Sequence, residues 1–109
     1  MANVDPIATL ADPSRKRIFE LLKSGPLHVG RIAEQLPISR AAVSQHLKVL
    51  KEAGLVQEAR EGNRNAYSID PKGLAAVQRW LDQFWEDGLS AFKVEAEATA
   101  RSKQRRKRR

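Results

Sequence analysis

The most informative stretch of this sequence is ISRAAVSQHLKVLKEAG, at residues 38–54. Ser39 belongs to the residue types that favour the position just before a helix, because its hydroxyl can accept a bond from a free backbone amide. Val43, Leu47 and Leu50 then recur at the spacing of one helix face. The stretch therefore predicts an amphipathic helix whose apolar side packs against a core.

The opposite face of this predicted helix, residues 40–53, is small and polar near its N-terminus. A helix enters the major groove of DNA only if its side chains let the backbone approach the bases. Gln can then pair with adenine, Arg with guanine or phosphate, and an Ala methyl can contact a thymine methyl. We therefore predict that the helix reads DNA through Ser39, Arg40, Ala41, Ser44, Gln45, Lys48 and Lys51.

Three short helices are predicted before this one. Asp5-Pro6 and Asp12-Pro13 indicate two helix starts, because Asp caps free amides and Pro loses no hydrogen bond at the first helical position. A third helix is predicted over 29–35, from apolar residues at helical spacing. Only four residues separate it from the reading helix, which is the tight connection of a helix-turn-helix.

A β-hairpin is predicted after the reading helix. Residues 55–60 and 66–69 predict two strands, joined at 61–65 by EGNRN, whose Gly and two Asn suit a turn with positive φ. A turn that projects an Arg beside a reading helix suits insertion into a minor groove. We therefore predict further DNA contacts from Asn63, Arg64 and Asn65. The predicted fold class is mainly α with a small β-hairpin, arranged as a winged helix-turn-helix.

The 109 residues fit one domain, but their charge is unevenly divided. Residues 101–109 (RSKQRRKRR) hold seven of the twenty Lys and Arg and no acid, so the first hundred residues carry equal numbers of bases and acids. We predict a DNA-binding and dimerisation domain over 1–100 and a disordered basic tail over 101–109. The tail is interpreted either as an accessory phosphate-binding arm or as a cloning or degradation-prone remnant.

From Pro71 onward the chain returns to helical spacing, and four of its six aromatic residues lie in this segment. Such a stripe is more often a core or a dimer interface than the lining of a ligand pocket. A lone helix cannot bury two Trp side chains against a domain of this size, whereas a second subunit supplies the missing surface. We predict a homodimer interface that includes Val77, Trp80, Leu81, Phe84, Trp85 and Phe92.

Composition excludes several classes of function. The chain has no Cys, which excludes disulfides, thiolate metal sites and thiol catalysis. His28 is interpreted as a surface or capping residue and His46 as a packing residue, so nothing assembles into a catalytic site and we expect neither an enzyme nor a cofactor. No membrane span or signal peptide is recognisable. We expect a cytoplasmic protein without a membrane partner.

Three of these strings resemble the ArsR-type (arsenic-repressor-like) winged-helix regulators. LADPSRKRI at 10–18 is similar to the opening of that family, ISRAAVSQHLKVL at 38–50 to its recognition helix, and EGNRNAY at 61–67 to its wing. The resemblance implies a homodimeric bacterial repressor that binds a palindromic operator, often at its own promoter. It also implies that the first and last helices form the dimer, which adds to the predicted interface Ile7 and Leu10.

The sequence departs from the founding members of that family, which sense metals through a Cys-x-Cys pair or through Asp and His on the last helix. The predicted third helix has no thiol and the last helix has no His, so we expect no metal. Two alternatives stay open. One is a repressor with a small-molecule or metal effector site at the dimer interface, and the other is a winged-helix protein-interaction module, against which the small polar outer face argues.

Overall fold

The computed structural model describes residues 4–107, except for the side chains of residues 93–94 and 101–107. The chain divides into two compact units, Met1–Val77 and Gln78–Arg109. Its elements, in chain order, are α1 (Pro6–Thr9), α2 (Pro13–Leu21), a 3-10 turn (Leu22–Ser24), β1 (Leu27–His28), α3 (Val29–Ala33), α4 (Arg40–Glu52), β2 (Val56–Glu61), β3 (Arg64–Ile69) and α5 (Pro71–Lys107). The predicted fold class, mainly helical with a small sheet, is confirmed.

The helix starts predicted at Asp5 and Asp12 are also confirmed. The Asp12 carboxylate accepts from the amides of Ser14 at 2.9 Å and Arg15 at 3.1 Å. These bonds satisfy two amides that have no partner within the helix. The Arg15 side chain then donates from Nε to the Thr9 carbonyl at 2.9 Å, and so joins α2 to α1.

One apolar core holds the first unit together. Ile18 of α2, Ile32 of α3 and Val56 of β2 are buried in it. The inward stripe predicted for α4 is confirmed, since the three fully buried side chains of that helix are Val43, Leu47 and Leu50. Helix α3 ends at Ala33, two residues earlier than its apolar spacing predicted.

The sheet has three strands in the order β1-β3-β2, all antiparallel. The sequence predicted only the hairpin and missed β1, because two residues are too few to show strand alternation. The hairpin turn is also tighter than predicted, with Glu61 paired to Arg64. The positive φ of the turn belongs to Gly62, at +62°. Neither Asn63 nor Asn65 has a positive φ, because among the described residues only glycines do. A two-residue turn with Gly first is one of the common hairpin connections.

Helix α5 begins against the end of α4. The Asp70 amide donates to the Leu55 carbonyl at 2.9 Å, and the Asp70 carboxylate accepts from the Lys72 amide at 3.0 Å. A Cβ on Gly73 would overlap the carbonyl oxygen of Gly54 and lie 2.8 Å from the Leu55 Cα. Glycine at this position therefore allows the two backbones to approach closely.

In the second unit, α5 continues without interruption to Lys107. The prediction of a disordered tail from residue 101 is therefore wrong for residues 101–107, while 108–109 lie outside the described residues. Lys, Arg and Gln are good helix formers and no Pro intervenes, so an existing helix can extend through them. Among the described residues, no helix is both long enough and apolar enough to cross a membrane.

Candidate nucleic-acid interface

Helix α4, called the reading helix below, exposes the side chains that the sequence predicted on its outer face. Ser39 caps it, since its hydroxyl oxygen accepts from the Ala42 amide at 3.1 Å. The exposed residues that follow are Arg40, Ala41, Ser44, Gln45, Lys48 and Lys51. Between Arg40 at the start of the helix and Lys48 farther along it, the exposed side chains are the short Ala41 and Ser44 and the uncharged Gln45.

A groove lies between the start of the reading helix and the hairpin β2–β3, called the wing below. Its volume is about 1070 Å³. Arg40 and Ser44 line it from the reading helix, and Arg64 and Asn65 line it from the wing. The structure therefore brings these four predicted residues together. The groove lining does not include the other six, which are Ser39, Ala41, Gln45, Lys48, Lys51 and Asn63.

The cations of this groove differ in how they are paired. Arg31 forms an ion pair with Glu34 at 3.2 Å. In the part of the chain that the structure describes, neither Arg40 nor Arg64 is ion-paired. The Arg40 guanidinium lies over Gly30, where a Cβ would overlap it. Gly30 thus leaves room for Arg40 inside the groove, and two guanidinium groups stay available for an anion.

Lys51 and Asn65 are held by a carboxylate that the sequence analysis did not single out. Glu58 on β2 accepts from Lys51 Nζ at 3.0 Å, from Asn65 Nδ2 at 2.7 Å and from the Tyr67 hydroxyl at 2.9 Å. The hydrogen bond from Lys51, and then that from Tyr67, lowers the pKa of Glu58. Burial, and then the same bond to Glu58, raises the pKa of Tyr67.

His28 also contacts the wing. Its Nδ1 lies 3.2 Å from the Asn65 carbonyl oxygen and its Nε2 lies 3.9 Å from the Glu61 carboxylate. His28 occupies the N-cap position of α3, as the capping interpretation placed it, but its side chain makes no cap hydrogen bond there. His46 is half-buried, in keeping with a packing role. The described residues include no group of three or more His, Cys, Asp or Glu that could hold a metal ion.

The residues predicted for a dimer interface fall into two groups. Those on the second unit are exposed, with 47% of Trp80, 59% of Phe84 and 69% of Phe92 accessible; Leu81 and Trp85 are exposed as well. In the first unit, Leu10 and Val77 are half-buried against the core of their own chain, and Ile7 is half-buried too. The exposed group forms an apolar stripe on α5.

Comparison with known proteins gives consistent matches to one family. The family model of bacterial regulatory proteins of the arsR family matches residues 12–58. The transcriptional regulator Rv2034 of Mycobacterium tuberculosis is 53% identical over 83 residues, which cover 76% of this chain and 78% of that protein. This chain belongs to the ArsR family. Its members are transcriptional regulators rather than enzymes, and the chain is accordingly a DNA-binding winged helix-turn-helix regulator.

Further relatives and solved structures agree with the ArsR assignment. The transcriptional repressor SdpR of Bacillus subtilis is 35% identical over 72% of this chain and 88% of its own length. A crystal structure of a possible transcriptional regulator for arsenical resistance superposes with a TM-score of 0.72 and 42% identity, covering 84% of this chain and 95% of that one. A homodimeric winged helix-turn-helix DNA-binding domain from Mycobacterium bovis superposes with a TM-score of 0.61 and 30% identity, covering 77% and 78%.

Proposed function

We propose that this ArsR-family regulator is a homodimeric repressor whose reading helix enters the major groove at each half-site of an operator. The observation that supports this most is the groove in which Arg40 and Ser44 of the reading helix meet Arg64 of the wing. Two guanidinium groups, neither of them ion-paired among the described residues, face the same opening as a short polar side chain. Such a surface suits a phosphate backbone beside exposed base edges.

Each exposed position then has a distinct role in the proposed complex. Gln45 and Ser44 read base edges, and Ala41 allows the helix to approach and contacts a thymine methyl. Arg40 and Lys48 bind phosphate or guanine, while Ser39 holds the N-terminus of the helix in shape as its cap. At the tip of the wing, Asn63 and Arg64 reach the minor groove or its backbone.

The proposed dimer rests on the apolar stripe of α5. Exposed large apolar side chains in one contiguous stripe are uncommon on monomeric proteins and indicate an interaction surface. A homologous domain is homodimeric, and relatives such as SdpR are named as repressors. A two-fold dimer reads two half-sites, so the operator is an imperfect palindrome with half-site centres about 10 bp apart or a multiple of that.

The basic tail, residues 101–109, also takes part in the proposed DNA binding. The seven cations of residues 101–109 add phosphate contacts that do not depend on DNA sequence. The protein acts in the cytoplasm, and the mechanism involves no metal, cofactor or catalytic step.

Selection of duplexes from a random pool tests this function directly. The expected result is enrichment of a palindromic sequence, protected from cleavage over two half-sites, whose placement in a promoter lowers reporter expression when the protein is present. Recovery of no shared sequence would contradict specific DNA reading. A selected site that raises expression would contradict repression alone, leaving the reading role intact.

A further inference from the structure

Glu58 connects the reading helix to the wing. We propose that it is a positioning residue for DNA recognition, which fixes the wing relative to the reading helix and keeps Lys51 from binding phosphate. This inference rests on the proposed contact of the reading helix and wing with DNA. It reverses one expectation from the sequence, because Lys51 then neutralises a carboxylate of its own chain instead of the DNA backbone.

The geometry places three donors from two elements on one carboxylate. Oε1 accepts from Lys51 in the last turn of the reading helix, and Oε2 accepts from Asn65 and Tyr67 on β3. Glu58 pairs with Tyr67 across the hairpin, so its bond to Asn65 runs diagonally toward the tip. Glu58 therefore links the end of the reading helix to the wing residue adjacent to Arg64.

The charges explain why this carboxylate is tolerated beside DNA. An unpaired acid on this face would repel the phosphates, but Lys51 lies 3.0 Å from it and the pair carries no net charge. The Glu58 side chain is 24% exposed and that of Lys51 is 54% exposed. Glu58 is thus the more enclosed partner, and the lowered pKa of its carboxyl keeps it ionised and able to hold all three donors.

The salt dependence of DNA binding distinguishes a Lys51 that is paired with Glu58 from a Lys51 that is free to bind phosphate. Each cation that neutralises a phosphate adds about 0.9 to the magnitude of the slope of log K against log[salt]. In Glu58→Gln the carboxylate charge is lost and Lys51 is released. We expect the slope to steepen by about 0.9 per bound subunit, on both a selected duplex and a shuffled one, and the preference for the selected duplex to fall.

Glu52→Gln is the matched control. It removes the same charge from the residue next to Lys51, and in the described part of the chain the Glu52 side chain has no hydrogen bond or ion pair. We expect its slope to equal that of the wild type. In the double variant Glu58→Gln, Lys51→Met the added slope should disappear, because the released cation is gone.

Tyr67→Phe tests the positioning role without changing any charge. It removes one donor to Glu58 and keeps the ring, so we expect the fold to be retained even if Glu58→Gln fails to fold. We expect the preference for the selected over the shuffled duplex to fall by about two- to tenfold, the equivalent of one net hydrogen bond, with the salt slope unchanged. Fluorescence anisotropy titrations at several salt concentrations measure both quantities.

Three results would each overturn the proposal while leaving the proposed function standing. The first is an unchanged slope in folded Glu58→Gln, and the second is an added slope that survives in the double variant with Lys51→Met. The third is an undiminished preference of Tyr67→Phe for the selected duplex. If the wild type shows no preference between selected and shuffled duplexes, the proposed function itself fails, and that outcome is read from the wild type alone.

Discussion

Gln45 and Ser44 lie exposed on the reading helix, where the proposed complex places base edges. Substituting either with Ala should weaken binding to a selected operator by about 1–3 kcal/mol and leave binding to a shuffled duplex nearly unchanged. The reason is that base-edge hydrogen bonds distinguish sequences, whereas phosphate contacts do not. Titration of each variant against both duplexes measures the difference.

The control for this prediction is Gln35→Ala. Gln35 is also exposed, but it follows α3 and does not line the groove. Gln35→Ala should leave the affinity for the operator and for the shuffled duplex unchanged. Equal losses on operator and shuffled DNA for Gln45→Ala would mean that this side chain supports affinity without reading a base.

At the scale of elements, the junction between α4 and α5 depends on a close backbone approach. Gly73→Ala places a Cβ against the Gly54 carbonyl and Leu55, both of them backbone atoms that cannot rotate away. Overpacking of this kind costs about 1–3 kcal/mol of unfolding free energy. Chemical denaturation should therefore show Gly73→Ala to be less stable than the wild type by that amount.

Gly88→Ala provides the matched comparison within the same helix. Apart from its chain neighbours and the backbone of its own helical turns, no atom of the described residues lies within 4 Å of a Cβ built there. Alanine favours helix over glycine by about 1 kcal/mol, so within one chain this substitution adds helix propensity without overpacking. If Gly73→Ala and Gly88→Ala change the free energy of unfolding equally, the close approach of Gly73 to Gly54 is not important for stability.

Elements defined by strong local signals were predictable from the sequence. The starts at Asp5 and Asp12 follow from Asp-Pro pairs, and the buried side of α4 follows from its apolar spacing. β1 was missed because two residues show no periodicity. The helical continuation through residues 101–107 does not follow from composition, because a run of like charges favours disorder although Lys, Arg and Gln are good helix formers.

The candidate site was predictable only in part, for a related reason. The angular spacing of residues along the reading helix predicts which of its side chains are exposed. It does not predict that Lys51 pairs with Glu58. The two residues are seven positions apart and on different elements, so only the packing of α4 on β2 brings them together. Likewise, contact of His28 with the wing depends on β1, which the sequence did not indicate.

At the scale of the whole molecule, the apolar stripe of α5 predicts the oligomeric state. Wild-type protein should be a dimer at micromolar concentration, and Phe84→Asp should dissociate it, because the interface would bury an unpaired charge. Operator affinity should fall in parallel, since one subunit supplies half of the contacts. Analytical ultracentrifugation measures the mass, and Arg79→Asp, at an exposed polar position of the same helix, is the control. A folded wild-type monomer that binds operator tightly would refute the dimer.

The basic tail and the rest of the chain contribute differently to DNA binding. The first hundred residues carry no net charge, so their affinity depends on local cations and on shape. The seven cations of residues 101–109 can each neutralise a phosphate, and every such contact adds about 0.9 to the magnitude of the salt slope. Deleting residues 101–109 should therefore reduce the magnitude of the salt slope. It should also weaken binding to operator DNA and to shuffled DNA by similar factors.

Preference for the operator should survive this deletion, because phosphate contacts carry no sequence information and the base-reading side chains all lie in the first unit. The measurement is a salt titration of full-length and truncated protein on both duplexes. Replacing only the five Arg of the tail with Lys keeps every charge and serves as the control, since a purely electrostatic contribution leaves its slope unaltered. An identical slope after truncation would show that the tail makes no phosphate contact. Loss of the preference for operator over shuffled DNA would mean that residues 101–109 take part in recognising the DNA sequence.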